Sequence, residues 1–455
     1  MISAEAFSCE TLRLHPQGGA VRRILAAGIQ AVEPGEALRR SLRREGNRLL
    51  AAGGVYDLDG FRRVRLLAIG KASVAMAGAA AEILGPRLDG GLVIAKHAEI
   101  KDQDVKRTGP RLETIVGGHP VPDARSLAAG RRAAELVSGL GPDDLLVCLL
   151  SGGGSALVCD PLPGVTLADL QALTAALLAC GARVDEINTL RRHLDRLKGG
   201  GLARLSGGAT VLSLILSDVV GNPLEAIASG PTAPDPTSRA EARSILARYA
   251  LAGKLPAGLR AALEQAPETP KPGEPLFERV RNVLAGSSLL AAQAALRQAR
   301  EEGFHPYLLR TDQQGEARQV AFELATLLRQ AHRSGQPAPV PACIVAGGET
   351  TVTLGPDPGL GGRNTELALA AVTELANFPG VLLVTLATDG DDGPTGAAGA
   401  VVAGESYRRA LGLGLDPVEA LRRNDSYPFF EALGDLLKPG PTGTNVGDLT
   451  FLFTL

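Results

Sequence analysis

Six apolar residues in a row, Leu145 to Leu150, run straight into Ser151-Gly152-Gly153-Gly154-Ser155. A short, bounded apolar run suits a strand covered on both faces, which is the strand of a parallel sheet. The glycines permit a sharp turn with positive φ and leave no β-carbon in the way of a ligand. Ala156-Leu157 can then open a helix. A tight strand-to-helix turn gathers N–H groups and a positive dipole end at one spot, where an anion such as phosphate can sit. The stretch alone leaves two readings open, an ordinary tight turn of an α/β protein and an anion site.

The rest of the chain repeats that strand-to-helix design. Of 455 residues, too many for one core, a prior of roughly 100–200 residues per domain predicts two or three domains. Strands are expected at 64–69, 91–95, 113–116, 144–150, 211–216, 283–286, 306–310, 342–346, 381–387 and 449–453. Helices are expected over 19–52, 74–84, 125–139, 166–180, 288–302 and 315–334, and over 188–198, ending at Gly199-Gly200-Gly201. The Pro-rich stretch Pro267 to Pro275 is the candidate boundary. It divides the chain into residues 1–275 and 276–455. The alternation predicts an α/β fold with parallel sheets in both parts.

Composition removes several classes of function. The formal net charge is −2, so no basic balance points to nucleic acid. No stretch approaches the ~18 apolar residues of a membrane span, and residues 1–16 lack a signal pattern. A cytoplasmic protein with no membrane or nucleic-acid partner is the expectation. The five cysteines are odd in number and include no C-x-x-C pair, which argues against a disulfide framework or a zinc site. Cys148 and Cys343, inside apolar runs, read as buried small hydrophobes.

Polar clusters fall where the expected strands end: Gly70-Lys71, Ser151 to Ser155, Ser217-Asp218, Gly348-Glu349 and Thr388-Asp389. In open parallel sheets ligands bind at that edge. Neither standard phosphate device is present. A P-loop requires G-x-x-x-x-G-K-[ST], but Gly70-Lys71 is followed by Ala72 and the position five before Gly70 is Arg65. A dinucleotide fingerprint requires G-x-G-x-x-G, and Leu157 stands where the last glycine belongs. Ser151 and Ser155 lack the G-x-S-x-G elbow of a serine hydrolase.

What remains is a parts list for phosphoryl transfer, in which a protein mainly positions groups and neutralises charge. Lys71 is a mobile point charge, and Arg363, in Gly361-Gly362-Arg363-Asn364, is a planar fork for carboxylate or phosphoryl oxygens. Asp218 and Asp389 suit Mg²⁺, which takes one or two carboxylates and keeps several waters. Asp391 and Asp392 read equally as turn residues. Arg191 and Lys198, seven residues apart on one expected helix, share a face, which is either an anion-binding face or a solvated basic one. His119, between Gly118 and Pro120, reads as loop packing rather than as a general base.

These residues resemble a known family, the D-glycerate 2-kinases that carry a C-terminal MOFRL domain. The resemblance rests on Gly70-Lys71-Ala72, His119-Pro120-Val121-Pro122-Asp123, Ser151 to Ala156, Asn188 to Leu194, Lys198-Gly199-Gly200 and Ser217-Asp218-Val219. It continues through Ala228 to Thr232, Gly347 to Val352, Gly361 to Asn364, Thr388-Asp389-Gly390, Asp392 to Thr395 and Gly443 to Val446. It implies a larger Rossmann-like parallel-sheet domain and a smaller MOFRL α/β domain, with the site in the cleft between them. It also implies ATP- and Mg²⁺-dependent transfer to the 2-hydroxyl of D-glycerate, giving 2-phosphoglycerate.

By this resemblance Lys71 and Arg363 are the catalytic pair. Ser151, Gly152, Gly153, Gly154, Ser155, Asn188 and Lys198 are expected to hold ATP; Arg191, Glu349 and Asn364 the substrate; Asp218 and Asp389 the metal. The chain departs from the family pattern at Asn222, Thr365 and Gly396, where Asp, Gln and Asp are usual, and at Gly201 and Pro439. Relatives have also carried the name hydroxypyruvate reductase, so NAD(P)H-dependent reduction is the alternative reading; the missing fingerprint argues against it. A homodimer is left open.

Overall fold

A computed structural model describes residues 2–52, 54–96, 111–251, 253 and 255–455. The chain divides into two compact units, Pro34–Ala285 and Met1–Glu33 joined with Gly286–Leu455.

The Pro34–Ala285 unit begins with helix Pro34–Ser41, which leads into a small antiparallel sheet, β1 (Leu42–Glu45), β2 (Arg48–Ala51) and β3 (Gly54–Asp57). Residues 42–51 were expected to be helical. Gly46, at φ +60°, instead turns the chain back with Asn47, and a Gly-Asn pair between two short runs makes a hairpin. The main sheet follows: β4 (Arg63–Ile69), β5 (Gly91–Lys96), β6 (Leu112–Gly117), β7 (Asp144–Ser151), β8 (Thr210–Leu216) and β9 (Val280–Gly286), in the order β6-β5-β4-β7-β8-β9. From β6 to β8 every neighbouring pair is parallel.

The run that opened the sequence analysis is β7, between β4 and β8, and all eight of its residues are buried. Its register sets Ile69 beside Leu150 and Ser151 beside Leu216, so Gly70, Gly152 and Ser217 leave the sheet together. Cys148 is buried and its thiol is pushed up to about 12 by desolvation.

The other unit holds β10 (His305–Gln313), β11 (Ala342–Gly348), β12 (Val381–Ala387), β13 (Gly399–Ala403), β14 (Leu436–Leu437) and β15 (Asp448–Thr454), in the order β10-β11-β15-β12-β13-β14. Only β10 and β11 are parallel; β15 runs antiparallel to both β11 and β12, and β13 is antiparallel to β12 and β14. The expected parallel sheet is therefore mixed. The last strand, fully buried with Phe451 and Phe453 stacked 6.2 Å apart, fills the gap between β11 and β12.

The N-terminal 33 residues belong to this second unit rather than to the first. Helix Gly18–Gln30 lies on helix Ser288–Glu301 so closely that a β-carbon at Gly28 would sit 3.4 Å from that of Ala295. Asp435 accepts hydrogen bonds from Thr11 N and Oγ1 at 2.8 and 2.9 Å. The Pro-rich stretch expected as a boundary is tied into the first unit, where Pro270 O accepts from Asp235 N at 2.8 Å. Helix Val184–His193 ends five residues before Lys198.

Candidate active site

Each unit gathers polar groups at one sheet edge. In Pro34–Ala285 the ends of β4 and β7 are tied together: Lys71 N donates to Gly152 O at 2.9 Å, and Ala72 N donates to Ser151 Oγ at 3.0 Å. Two glycines of the turn are required by close approach. A β-carbon at Gly152 would run into the Asp218 carboxylate, and one at Gly153, whose φ is +82°, would come within 3.1–3.2 Å of the His119 ring and Lys71 Cγ. Lys71, His119 and Asp218 therefore converge on the triglycine turn from three separate strand ends.

The helix after the turn, Gly154–Leu157, has only four residues. The expected dipole contribution is correspondingly small, and what the turn presents is its backbone with these three side chains beside it. Burial, then the charges of Lys71 and Lys96, push the His119 imidazole below its ordinary value. It stands at neutral pH as an uncharged ring against the turn.

Ser155 Oγ lies 2.7 Å from Ser229 Oγ, and Ser155 also lines a narrow recess whose wall includes Arg191, Asp195 and Lys198. Arg191 and Lys198 thus meet at one cavity, although the single helix face expected to join them does not exist. Lys198 is buried, and its Nζ donates to Asp195 Oδ2 at 2.5 Å and Val158 O at 3.0 Å. Sequence reading missed Asp195, whose carboxylate fixes that lysine. Arg191 is half-buried, and burial pushes its guanidinium below the ordinary value. Asn188 is buried on the same helix and does not line the recess.

In the other unit the register places Asp448 opposite both Gly348 and Ala387. It therefore stands on the edge that Glu349 and Asp389 leave. Arg363, at the start of helix Arg363–Glu374, donates Nε and Nη2 to the two Asp448 oxygens, the second at 3.0 Å, and its Nη1 lies 3.1 Å from Glu349 Oε1. Burial works against the Arg363 charge, but hydrogen bonds and charge from Asp448, then charge from Glu349, raise its pKa overall. Burial pushes Asp448 up to about 6 against the opposing pull of Arg363. A recess of about 260 Å³ is lined by Gly348, Glu349, Asn364 and Asp448.

Asp392 caps the helix: its oxygens accept from Asn364 N at 2.9 Å and Thr365 N at 2.8 Å. This is its role in the fold, which the reading of Asp391-Asp392-Gly393 as a turn does not contain. Asp389 is half-buried at the end of β12, where its Oδ1 accepts from Asp391 N at 3.2 Å. Of the departures from the family pattern, Thr365 is fully buried with Oγ1 2.8 Å from Asp392 Oδ2. Asn222 has φ +54°, a conformation that Asn tolerates better than most residues.

Among the described residues no three or more His, Cys, Asp or Glu side chains form a ready metal cluster. One carboxylate beside a turn without β-carbons, with a lysine at hand, does suit a phosphate-bound Mg²⁺, which draws most of its ligands from phosphate and water. Among the described residues no helix is long and apolar enough to cross a membrane.

Residues 20–264 match the family model described as Domain of unknown function (DUF4147), and residues 342–448 match that of the MOFRL family. The chain is 39% identical to a D-glycerate 2-kinase of Thermotoga maritima, over 94% of this chain and 95% of that protein. It is 41% identical to an Agrobacterium vitis protein provisionally named hydroxypyruvate reductase, over 94% and 92%. A crystal structure of the glycerate kinase from Thermotoga maritima superposes with a TM-score of 0.85 at 37% identity, covering 95% of this chain and 98% of that one. With both family segments in order and full-length relatives at this identity, the chain belongs to the glycerate 2-kinase family.

Proposed function

We propose that this protein phosphorylates D-glycerate on its 2-hydroxyl, using ATP and Mg²⁺ and releasing 2-phosphoglycerate and ADP. The observation that carries the reading is the convergence of Lys71, Asp218 and the Gly152-Gly153-Gly154 turn, in a chain whose full-length relatives include a D-glycerate 2-kinase.

The turn admits phosphate oxygens to the backbone because Gly152 and Gly153 have no side chains to exclude them. Lys71 supplies a positive point charge there on a flexible stem. Asp218 offers one carboxylate ligand for Mg²⁺, which when bound would neutralise phosphate charge. Arg363 presents a fork already oriented by Asp448, so little rotamer freedom is lost when it meets an anion. Glu349 and Asn364 flank that fork as hydrogen-bonding partners for substrate hydroxyls. Asp389, the other expected metal ligand, keeps that role as a proposal.

The decisive experiment is ³¹P NMR of the product formed from D-glycerate, ATP and Mg²⁺. A 2-phosphoglycerate resonance is expected. Steady oxidation of NADH by hydroxypyruvate in the absence of ATP would instead establish the reductase reading.

A further inference from the structure

Ala228, Ser229 and Gly230 follow one another in the left-handed region, at φ +51°, +61° and +60°. Glycine sits there freely, but alanine and serine are strained by their β-carbons. Such a conformation persists only where its surroundings over-determine it, and residues strained in this way gather at functional sites. Here the surroundings are two loops of the same unit. Gly199 N donates to Ser229 O at 2.9 Å and Gly200 N to Gly230 O at 2.7 Å, which ties the left-handed segment to the loop after Lys198. Its other side meets the glycine turn. A β-carbon at Gly154 would lie 2.7 Å from that of Ala228, and Ser229 Oγ lies 2.7 Å from Ser155 Oγ.

The direction of that last hydrogen bond follows from burial. Ser229 is fully buried and Ser155 half-buried. Among the described residues neither hydroxyl has another hydrogen-bond partner. Each hydroxyl carries one hydrogen, and only one of the two can lie between the oxygens. If Ser155 donated, the Ser229 hydrogen would be stranded in the interior, where an unmet donor carries a desolvation penalty. If Ser229 donates, nothing is stranded, and the Ser155 hydrogen is left to point away from the interior.

We propose that Ser229 is a positioning residue, which fixes Ser155 as a hydrogen-bond donor to an anionic oxygen of a substrate held at the glycine turn. The inference rests on the kinase reading. The oxygen belongs either to a phosphate of ATP or to the carboxylate of glycerate, and the assay separates the two. Fixing one of three staggered hydroxyl rotamers contributes up to about threefold. Polarisation of the Ser155 hydroxyl by its neighbour adds to that.

Steady-state kinetics of the full-length protein test it, with ADP release measured while MgATP and D-glycerate are varied in turn. Ser229→Ala and Ser229→Gly both remove the hydroxyl. Glycine also relieves the left-handed strain, so Ser229→Gly should unfold at a higher urea concentration than Ser229→Ala. Both variants are expected to lower kcat/KM by the same factor, about three- to tenfold. The fall is in kcat/KM for MgATP if Ser155 meets phosphate, and for D-glycerate if it meets carboxylate. Because Ser229 acts through Ser155, Ser229→Ala should cause no further loss in a Ser155→Ala background.

Wild-type kcat/KM for both substrates in either variant overturns the proposal. So does a loss in Ser229→Ala that Ser229→Gly restores, or the same loss with and without the Ser155 hydroxyl. Each of these results leaves the kinase reading standing, because the wild type turns over in the same assay. A wild type that releases no ADP with D-glycerate overturns both.

Discussion

Replacing Asp448 by Asn separates a residue that orients Arg363 from one that merely fills space. The carboxylate takes two donors from one guanidinium in a buried setting. Asn keeps the size of the side chain, but it can accept only one of those hydrogen bonds and turns an N–H₂ toward a cation. A hydrogen bond to a charged group contributes about 1.5–3 kcal/mol. The Arg363 side chain is 31% exposed, which places the loss near the lower end of that range. A catalytic group displaced by about 1 Å can cost on the order of 10²-fold in rate. The variant is therefore expected to fold and to lose about 10²-fold in kcat, read by ADP release in a coupled assay.

The pH profile of the wild type supplies an independent readout. Asp448 stands at about 6, against the ordinary 3.8. Its ionised form, the one that holds Arg363, is thus lost as pH falls through about 6, and activity is expected to fall there. Stability moves the other way. Because the folded-state value is raised, this group's contribution is fully present below about 3.8 and is lost as pH rises through about 6. Between pH 6 and 5 the wild type should lose activity without any loss of stability from Asp448. In Asp448→Asn that acid limb should disappear. Native kcat in the variant, or an acid limb that persists unchanged, would refute the positioning role.

Three further substitutions probe separate parts of the two sheet edges. Lys71→Ala removes the point charge beside the glycine turn and should lower kcat by about 10²–10³-fold, in the range found for removing one charge-stabilising donor, with circular dichroism unchanged. Gly152→Ala drives a β-carbon into the Asp218 carboxylate; urea unfolding should show a loss of about 1–3 kcal/mol, and ADP binding should weaken with it. Asp392→Ala uncaps helix Arg363–Glu374 and should cost about 1–2 kcal/mol without altering nucleotide binding.

Much of the first sheet was legible because its strands carry their own signals. Residues 144–150 are apolar without interruption, and a turn of three glycines stops them. The structure extends that strand by one residue, to Ser151. The hairpin at 42–51 was misread because its leucines fit a helical period as well as a strand period. What decided between them was one glycine at positive φ, a weak mark beside eight residues of pattern. Lys198 was assigned to a helix that stops at His193. The residues after it stay ordered through long-range contacts, Lys198 to Asp195 and Gly199 N to Ser229 O, which no periodicity records.

Asp448 escaped for a topological reason. A search for ligand-binding groups at the carboxyl ends of strands is sound for a parallel sheet, where every such end lies on one edge. The strand order of the second unit breaks that premise, because its final strand enters between β11 and β12 in the opposite direction. An antiparallel strand brings its amino end to the edge where its neighbours' carboxyl ends lie. The first residue of β15 then holds a position that a parallel strand would give to its last. Asp448 precedes Leu449 to Phe453 in the sequence, and nothing in that run reveals its direction. Arg363 was found because its Gly-Gly-Arg-Asn turn is distinctive; its partner, 85 residues away, required the fold. The fork of Arg363 is set by a carboxylate that the last strand of the chain delivers, so the orientation of this group depends on completion of the sheet.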